Sequence, residues 1–419
     1  MAKLIIEGGR ALKGQITVRG AKNAALPILA AAMLIPEPVR ITNCPRLTDV
    51  EHMAGLLKAL GCRTEWTEDA LVIDAGSART AALPEGLAGS IRSSVFLLGP
   101  LLGRFGAAEA PYPGGCDIGN RPVDLHLKGL RAMGVKVDEA SGRIRCLGRP
   151  RGGGEIALEY PSVGATENLI MAACGAEEDT VLVNPAREPE IDDLMAFLNG
   201  AGFELKWEGS SRIRIRGGRR GRATAHALLP DRIEAGTYLV AAAITGGHLL
   251  IRGGRREHLS ALLTALKEAG CRIRAEGTDL DIEGPERPRE LRRLVTLPYP
   301  GFPTDMQSQV FALCTVARGT SVLEENVFED RFRHGPELRR MGADWDLRGR
   351  AAVIRGVKSL HGATVTARDL RGGAALVLAG LRAEGITVVE EAQRIDRGYM
   401  DLAATLRSVG AAIRREDES

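Results

Sequence analysis

The sequence is poor in the features that mark several large classes of protein. Aromatic residues make up only 4% of the 419 residues, and 56 basic and 53 acidic residues leave a net charge of only +3. A nucleic-acid-binding surface combines a basic face with aromatic side chains on which bases stack, so neither property favours that function. Arginine-rich stretches such as SSRIRIRGGRRGR are more typical of solvated strand edges.

Long apolar runs are also missing. No stretch of 18 or more apolar residues occurs, which argues against a membrane span, and the opening MAKLIIEGGRALKG has charge and glycine too early for a secretory signal. The seven cysteines form no CxxC pair and the seven histidines are scattered, so neither a disulfide framework nor a metal site is expected. These absences predict a reduced, cytoplasmic protein.

What the sequence does contain is a short phrase that recurs six times: the end of a helix, a glycine and the start of a strand. It reads KALGCRTEW, RAMGVKVDE, NGAGFELKW, KEAGCRIRA, RRMGADWDL and RSVGAAIRR. The glycines are 68 to 73 residues apart, at Gly61, Gly134, Gly202, Gly270, Gly342 and Gly410. Each is expected to end its helix in the left-handed conformation, which costs least for a residue without Cβ. The chain is therefore predicted to contain six copies of one repeat.

Each repeat also has an apolar helix rich in small residues. These helices read NAALPILAAAML, SSVFLLGPLL, TENLIMAAC, AGTYLVAAAI, MQSQVFALCTVA and GGAALVLAGL. Because they are apolar on nearly every side, they are expected to be buried, with the strands outside them. The sequence thus predicts an α/β fold of two inside-out domains, each with three βαβαββ-type repeats, and residues 217–232 as a candidate crossover.

A polar residue or glycine stands where each apolar helix begins. The six positions are 66 to 72 residues apart: Lys22, Arg92, Gly164, Glu234, Asp305 and Arg371. A helix N-terminus attracts a phosphate or carboxylate through its unpaired N–H groups. Ordinary capping accounts for Glu234 and Asp305, whereas the three cations oppose the helix dipole. These conflicts predict a bound anion that offsets the cations, in one cleft where the repeats converge.

A second set of residues is expected on the loop before the other, amphipathic helix of each repeat. It comprises Asp49, Arg121, Glu190, His258, Arg331 and Arg397. Arginine suits two-pronged binding of a carboxylate or phosphate, although a single loop arginine is commonly just solvated.

Two loops have unusual sequences. Cys116 lies in PYPGGCDIGNRP, which is typical of a turn, whereas Cys174, Cys271 and Cys314 are expected in the core. A thiol near gathered cations exchanges a proton readily, and the alternative is a bystander cysteine. Asp305 follows three prolines in LPYPGFPTDMQSQ, and this stiff lead suits a positioned general base.

These residues lie in phrases that resemble the bacterial UDP-N-acetylglucosamine enolpyruvyl transferases of the EPSP synthase superfamily. The phrases span the chain: GAKNAALPILAA, PGGCDIGNRPVDLH, SVGATENLIMAA, NPAREPEIDDL, PYPGFPTDMQSQ, ENVFEDRF, DLRGGAALVLAGL and IDRGYMDL. The resemblance implies the enolpyruvyl transferase fold, with one domain of residues 22–229, a second of residues 1–21 plus 230–419, and an active site in the cleft between them.

The resemblance also implies a reaction. The enolpyruvyl group of phosphoenolpyruvate would pass to the 3′-hydroxyl of UDP-N-acetylglucosamine through a tetrahedral intermediate, with release of phosphate and without a metal or organic cofactor. This would be the first committed step of peptidoglycan synthesis, on which cell-wall formation, cell shape and cell division depend.

Roles for individual residues follow from the same resemblance. The phosphate and carboxylate of phosphoenolpyruvate would be held by Lys22, Arg121 and Arg397, with Asp369 and Arg371 in support and Arg331 as a further substrate-binding residue. Asn23 and Asp305 would contact the sugar, with Asp305 as the base. The UDP-sugar site would be lined by Arg92, Arg121, Pro122, Val123, Asp124, Leu125, Ser162, Val163, Gly164 and Val327.

Cys116 would act as general acid toward the methylene carbon of phosphoenolpyruvate, or as the residue that traps it covalently. Its loop would be a lid that closes over substrate, and fosfomycin, an epoxide that mimics phosphoenolpyruvate, would label it. Thr48 departs from the family pattern, because many members carry lysine there.

Three alternative functions stay open. EPSP synthase itself shares the fold and the phosphoenolpyruvate substrate, but the PGGC and RPVDLH phrases favour the UDP-sugar enzyme. A non-catalytic paralogue would bind the UDP-sugar and regulate wall synthesis. An RNA enzyme that processes phosphate ends is disfavoured by the near-neutral charge. The sequence predicts small-molecule substrates, with no nucleic-acid partner and no membrane insertion, and leaves the oligomeric state open.

Overall fold

The structure is a computed structural model that describes residues 2–112, 123–139 and 142–417. These residues form two compact units. The first unit lies within residues 20–229, and the second combines residues 2–19 with residues 230–417. Each unit has its own cluster of buried apolar residues, within residues 21–229 for the first and within residues 2–18 plus 233–413 for the second.

Helices occur throughout both units. The α-helices of the described residues are α1 (Lys22–Ala31), α2 (Thr48–Ala59), α3 (Glu85–Ser90), α4 (Leu98–Phe105), α5 (Asp124–Ala132), α6 (Val163–Cys174), α7 (Pro189–Gly200), α8 (Arg232–Thr245), α9 (Ser260–Glu268), α10 (Gln307–Thr315), α11 (Gly335–Arg340), α12 (Leu370–Arg382) and α13 (Leu402–Ser408). Short 3-10 helices cover Ala32–Leu34, Arg92–Leu97, Arg256–His258, Thr304–Met306 and Ala392–Arg397.

The strands are short and are distributed evenly along the chain. They are β1 (Ala2–Glu7), β2 (Lys13–Thr17), β3 (Val39–Thr42), β4 (Arg63–Trp66), β5 (Ala70–Asp74), β6 (Ala107–Pro111), β7 (Lys136–Asp138), β8 (Arg143–Leu147), β9 (Gly154–Ala157), β10 (Thr180–Val183), β11 (Leu205–Trp207), β12 (Arg212–Ile215), β13 (Thr224–Ala227), β14 (His248–Arg252), β15 (Arg272–Glu276), β16 (Asp279–Glu283), β17 (Leu294–Val295), β18 (Thr320–Glu324), β19 (Asp344–Arg348), β20 (Ala351–Arg355), β21 (Thr364–Thr366), β22 (Ile386–Glu390) and β23 (Ala412–Asp417).

One helix of each repeat lies in the core. These helices are α1, α4 and α6 in the first unit and α8, α10 and α12 in the second, and every residue of α8 and α10 is buried. Small residues let them approach closely: a Cβ added to Gly99 of α4 would lie only 2.3 Å from the carbonyl oxygen of Asn168 in α6. The prediction that the apolar helices are buried is confirmed.

The strands form sheets of three or four strands. The strand orders are β13-β3-β5-β4, β6-β8-β7 and β11-β12-β10-β9 in the first unit, and β15-β16-β14-β2, β17-β18-β20-β19 and β21-β22-β1-β23 in the second. Strands such as β8, β12 and β14 alternate buried and more exposed residues, as expected where one sheet face packs on the core and the other meets solvent. The inside-out α/β fold is confirmed.

Strands β1, β2 and β13 pair with partners from distant parts of the chain. Strand β2 precedes α1 in sequence, yet it runs parallel to β14, which follows α8. Strand β13 precedes α8, yet it runs parallel to β3, which follows α1. The candidate crossover at residues 217–232 therefore contains a strand of the first unit, while β1 lies between β22 and β23 in a sheet of the second.

The glycines that end the amphipathic helices all adopt positive φ angles. Gly61, Gly134, Gly202, Gly270, Gly342 and Gly410 have φ between +81° and +100°. A side chain would strain the backbone in this left-handed region, which explains why glycine recurs there. The predicted helix ends are confirmed.

The second apolar segment departs from a plain α-helix. Residues Arg92–Leu97 form a 3-10 helix and α4 begins only at Leu98. This start places Pro100 in the first turn of α4, where its missing N–H leaves no hydrogen bond unmade. None of the helices in the described part of the chain has the length and apolar character needed to cross a membrane.

Candidate active site

The sequence-predicted residues at the apolar helices lie at the helix starts. Lys22 is the first residue of α1, Arg92 opens the 3-10 helix before α4, and Gly164 is the second residue of α6. In the second unit, Asp305 lies in the 3-10 turn that leads into α10, and Arg371 is the second residue of α12.

Other residues cap these helices. The side-chain caps are Ser162 on α6, Asp231 on α8 and Asp369 on α12. Glu234 instead accepts hydrogen bonds from the Arg19 N–H at 3.1 Å and the Tyr238 hydroxyl at 3.1 Å. The carboxylate of Asp305 binds two arginines. Interpreting Glu234 and Asp305 as simple caps is therefore wrong.

A buried ion pair holds Lys22 in the first unit. The Lys22 Nζ is 2.6 Å from Asp49 Oδ2, and both residues are buried. Asp49 lies in the first turn of α2, rather than on the loop before it, and a carboxylate is favourable at that position. Protein carboxylates thus face two of the three cations at helix starts, Lys22 and Arg371. The prediction that a bound anion offsets the charges is therefore corrected for these two residues, because a protein carboxylate offsets each of them.

Sequence analysis missed a buried histidine beside the start of α6. The Nδ1 of His126 is 3.1 Å from Asn168 Nδ2, and Asn168 Oδ1 accepts the Gly99 N–H at 2.8 Å. The Asn168 amide therefore donates to His126, so the neutral ring carries its proton on Nε2. Burial, with a smaller effect of Arg92, lowers the His126 pKa to about 3. The Nε2 side faces Gly164, where an added Cβ would be 3.3 Å away.

The first unit contains a cluster of three carboxyl groups that the sequence did not predict: those of Glu167, Glu188 and Glu190. Burial, and then the charges of Glu190 and Glu188, raise the pKa of Glu167 well above its usual value. Glu167 lies in α6 with 1% of its surface exposed, and Glu190 lies in the first turn of α7. Burial and two neighbouring carboxyl groups thus all favour the protonated form of Glu167.

The second unit holds Asp305 between two guanidinium groups. Arg331 Nη2 is 2.5 Å from Asp305 Oδ1, and Arg371 Nη2 is 3.0 Å from Asp305 Oδ2. The arginine side chains are only 3% and 5% exposed, whereas that of Asp305 is 26% exposed. Two arginines thus hold the carboxylate in one orientation while part of the Asp305 side chain stays exposed, and this arrangement suits a base that must meet a substrate hydroxyl.

Glu325 joins the Asp305 turn to the loop of Val327. Its Oε2 accepts the Thr304 hydroxyl at 2.9 Å, and its Oε1 accepts the N–H groups of Val327 at 2.8 Å and Phe328 at 3.1 Å. A charge-assisted hydrogen bond of this kind is strong and directional. The sequence phrase ENVFEDRF contains Glu325, but only the long-range contact to Thr304 identifies its position beside the site.

Asp369 organises the start of α12. Its Oδ1 accepts the N–H groups of Arg371 at 3.0 Å and Gly372 at 2.9 Å. His334 lies nearby and is fully enclosed, and burial lowers its pKa to about 4 although the charge of Asp369 opposes this shift. His334 is therefore neutral near pH 7.

The remaining predicted residues fall into three groups. Asn23 follows Lys22 in α1, Val123 precedes α5, and Asp124 and Leu125 begin that helix. In the first unit, Val163 is the first residue of α6. In the second unit, Arg397 is the last residue of one 3-10 helix and is half-buried. His258 is the last residue of another 3-10 helix, which precedes α9. Cys116, Arg121 and Pro122 lie outside the described residues. Within 2–112, 123–139 and 142–417, no group of three His, Cys, Asp or Glu side chains could hold a metal ion.

The chain matches one protein-family model over most of its length. The family is described as EPSP synthase (3-phosphoshikimate 1-carboxyvinyltransferase), and residues 6–406 match. Among curated relatives, UDP-N-acetylglucosamine 1-carboxyvinyltransferase 2 of Caldanaerobacter subterraneus subsp. tengcongensis is 49% identical over 415 residues, which cover 99% of this chain and 100% of the relative. UDP-N-acetylglucosamine 1-carboxyvinyltransferase 1 of Carboxydothermus hydrogenoformans is 50% identical over 417 residues, 99% of this chain and 98% of the relative.

Solved structures share the fold. The enolpyruvyl transferase NikO from Streptomyces tendae has a TM-score of 0.90 and 26% identity over 100% of this chain and 99% of its own. EPSP synthase from Acinetobacter baumannii has a TM-score of 0.75 and 19% identity over 99% of this chain and 100% of its own, and this likeness concerns the fold alone. The enolpyruvyl transferase fold expected from the sequence is confirmed.

Proposed function

The chain belongs to the EPSP synthase family and, within it, to the UDP-N-acetylglucosamine 1-carboxyvinyltransferases, and on this premise we propose the reaction that it catalyses. It transfers the enolpyruvyl group of phosphoenolpyruvate to the 3′-hydroxyl of UDP-N-acetylglucosamine. The observation that carries the proposal is the near-50% identity, over at least 98% of both chains, to two relatives named for this transfer.

The reaction balances in two steps. The 3′-hydroxyl gives its proton to a base while its oxygen bonds to C2 of phosphoenolpyruvate, and C3 takes a proton from an acid. The bond from C2 to the phosphate oxygen then breaks and C3 loses a proton, which leaves the enolpyruvyl ether and free phosphate. The protein must therefore supply a base, an acid and groups that bind anions.

Asp305 is the proposed base. It lies at the lead into α10, with Arg331 and Arg371 on its two oxygens, and these two contacts hold the carboxylate in one orientation, which supports this role. Arg331 is therefore proposed to act mainly through its ion pair with Asp305. This role differs from the direct contact with substrate that was expected from the sequence. Val327, tied to the same turn through Glu325, is proposed to contact the UDP-sugar.

The first unit is proposed to supply groups that bind the anionic parts of the substrates. The start of α6, at Ser162, Val163 and Gly164, has backbone N–H groups suited to a diphosphate. Lys22, with Asn23 beside it, and Arg92 add positive charge and hydrogen-bond donors at two other helix starts. The UDP-sugar is also proposed to contact the start of α5, at Val123, Asp124 and Leu125. Arg121 and Pro122, proposed for the same site, lie outside the residues that the structure describes.

Further residues are proposed for the phosphoenolpyruvate side of the reaction. Arg397 is proposed to bind its phosphate or carboxylate together with Lys22 and Arg121. Asp369 holds Arg371 in place through the start of α12, which supports an indirect role for it. Cys116 is proposed as the acid toward C3 or as a covalent trap.

This activity places the protein, as a proposal, at the first committed step of peptidoglycan synthesis. Cell shape and division would then depend on it. A cytoplasmic location fits the six free cysteines among the described residues, because thiols stay reduced there.

A phosphate-release assay tests the proposed reaction. The wild-type protein should release phosphate from phosphoenolpyruvate with UDP-N-acetylglucosamine and not with shikimate 3-phosphate as acceptor. Asp305→Ala should still bind the UDP-sugar by calorimetry but lose turnover by about 100-fold or more, because it lacks the base. Turnover with shikimate 3-phosphate would favour the EPSP synthase alternative, and binding without phosphate release would favour a non-catalytic paralogue.

Fosfomycin labelling tests the role of Cys116. Burial raises the pKa of Cys44, Cys146 and Cys271 to about 12, so their thiols are poor nucleophiles at neutral pH. Mass spectrometry should therefore find one fosfomycin adduct, on Cys116, formed faster when UDP-N-acetylglucosamine is present. Cys116→Ser should give no adduct, and an adduct on any other cysteine would contradict the assignment.

A further inference from the structure

A series of hydrogen bonds between buried polar side chains ends at the carboxylate of Asp305. Tyr399 has 1% of its surface exposed, and its hydroxyl oxygen lies 2.7 Å from Thr237 Oγ1. The same hydroxyl is 3.5 Å from Arg371 Nη1, and the Arg371 Cζ lies 5.9 Å from the centre of the Tyr399 ring. Arg371 in turn binds Asp305 at 3.0 Å.

The contacts of the Thr237 hydroxyl determine which group donates and which accepts in these hydrogen bonds. The Thr237 hydroxyl donates its single proton to the Ile233 carbonyl, 2.9 Å away in the preceding turn of α8. Its oxygen therefore acts as acceptor toward Tyr399, and Gln309 Nε2 donates to it as well at 3.2 Å. With its proton directed to Thr237, Tyr399 turns an oxygen lone pair toward Arg371.

Arg371 needs this acceptor because its charge is enclosed. Its side chain is 5% exposed, and a buried guanidinium with an unmatched N–H group is costly. Among the described residues, the side-chain acceptors within hydrogen-bond distance of its Nη atoms are Tyr399 and Asp305. Two acceptors on different Nη atoms fix the rotation of the planar group about its own axis.

We propose that Tyr399 is a positioning residue for the transfer reaction, held in turn by Thr237. It sets the guanidinium plane of Arg371, and Arg371 sets the direction in which Asp305 presents its carboxylate. The inference rests on the proposed function, in which Asp305 takes the proton of the sugar hydroxyl. In this proposal Tyr399 acts through Arg371 and not on a reacting atom.

Kinetics of Tyr399→Phe test the catalytic part of this inference. The variant keeps the ring and loses the hydroxyl, so kcat should fall about tenfold while KM for UDP-N-acetylglucosamine stays within about twofold, because misplacing a base mainly slows the chemical step. Tyr238→Phe is the matched control: it also removes a buried tyrosine hydroxyl in the second unit, one bound to Glu234. Both variants should lose similar thermal stability, but only Tyr399→Phe should lose kcat.

Substitutions at Thr237 add a rescue test. Thr237→Val removes the acceptor of the Tyr399 proton and should lower kcat in the same direction, whereas Thr237→Ser keeps the hydroxyl and should restore it. A kcat for Tyr399→Phe within about twofold of wild type would overturn the inference, as would an equal loss in Tyr238→Phe.

A crystal structure of Tyr399→Phe tests the geometry without any activity measurement. The Arg371 guanidinium should rotate away from the arrangement that binds Asp305 Oδ2 at 3.0 Å. An unchanged contact would overturn the positioning role even in a protein that proved inactive. Failure of the wild type to release phosphate would instead count against the proposed function, so the two failures are distinguishable.

Discussion

Glu234 and Asp305 occupy corresponding positions at the starts of two buried helices, yet their neighbours give the two carboxyl groups opposite characters. Asp305 faces Arg331 and Arg371. Glu234 is buried, and this burial, followed by the nearby charge of Asp231, raises its pKa to about 7. At the residue scale, side chains brought in by the fold decide whether an acid at a helix start pairs with cations or has its pKa raised beside another carboxylate.

The raised pKa of Glu234 predicts a specific dependence of stability on pH. Its folded-state pKa of about 7 exceeds the ordinary value of 4.5, so the folded state binds more protons between these values. Its contribution is therefore full below pH 4.5 and is lost as pH rises through 7. Glu234→Gln removes this term, so the unfolding free energy of the wild type should fall by about 3 kcal/mol relative to the variant from pH 4.5 to 7.5.

Urea unfolding at several pH values measures this difference. Glu268→Gln, an exposed change on α9, should follow the wild-type pH dependence and serves as the control. Parallel curves for the wild type and Glu234→Gln would contradict the prediction.

At the scale of single elements, each repeat places a buried helix with a polar residue or glycine at its start. Local sequence accounts for much of this, because apolar residues on all sides favour burial and a glycine in the left-handed conformation ends the following helix. The caps differ among repeats: Asp369 and Asp231 bind two backbone N–H groups each, while α1 has no side-chain cap. Start positions could therefore be predicted from the repeat, but capping roles could not.

Asp369 should stabilise α12 through its cap. Asp369→Ala leaves the N–H groups of Arg371 and Gly372 without this acceptor and should lower the unfolding free energy by about 1 kcal/mol. Asp369→Asn keeps a side-chain oxygen and should stay close to wild type in urea unfolding. If Asp369→Asn is stable yet slow in phosphate release, the charge of Asp369 acts in catalysis separately from the cap. Equal stability of Asp369→Ala and the wild type would exclude the capping contribution.

At the scale of the whole molecule, residues 2–19 belong to the second unit. Strand β1 lies between β22 and β23, and β2 pairs with β14. Buried Leu4, Ile6 and Ile16 bring apolar side chains from this segment into the core of the second unit. The described residues of the first unit all lie within residues 20–229, whereas the second unit needs a segment that is distant in sequence.

Deleting residues 1–19 should therefore unfold the second unit and spare the first. The deletion removes a central strand from one sheet and exposes its neighbours, while it removes no strand from the first unit. Hydrogen exchange followed by mass spectrometry should show lost protection in residues 230–417 and retained protection in residues 22–112.

Tryptophan fluorescence gives a second readout of the same deletion. Trp66 and Trp207 lie in the first unit and Trp345 in the second, so a Trp66→Phe, Trp207→Phe background reports on the second unit alone. A native-like Trp345 signal after the deletion would refute the prediction.

The amino-acid sequence by itself determined the number of repeats, the buried character of one helix in each, the glycines that end the amphipathic helices and the residues at which the buried helices begin. All of these depend on local periodicity and on backbone conformation. Tertiary structure alone decided that β2 pairs with β14 and that β13 pairs with β3. It also decided the ion pair of Lys22 with Asp49 and the contact of Tyr399 with Arg371. The two arginines that bind Asp305 likewise lie 26 and 66 positions further along the chain. The physical reason is that ion pairing and burial depend on which side chains are neighbours in space, and no local pattern encodes that.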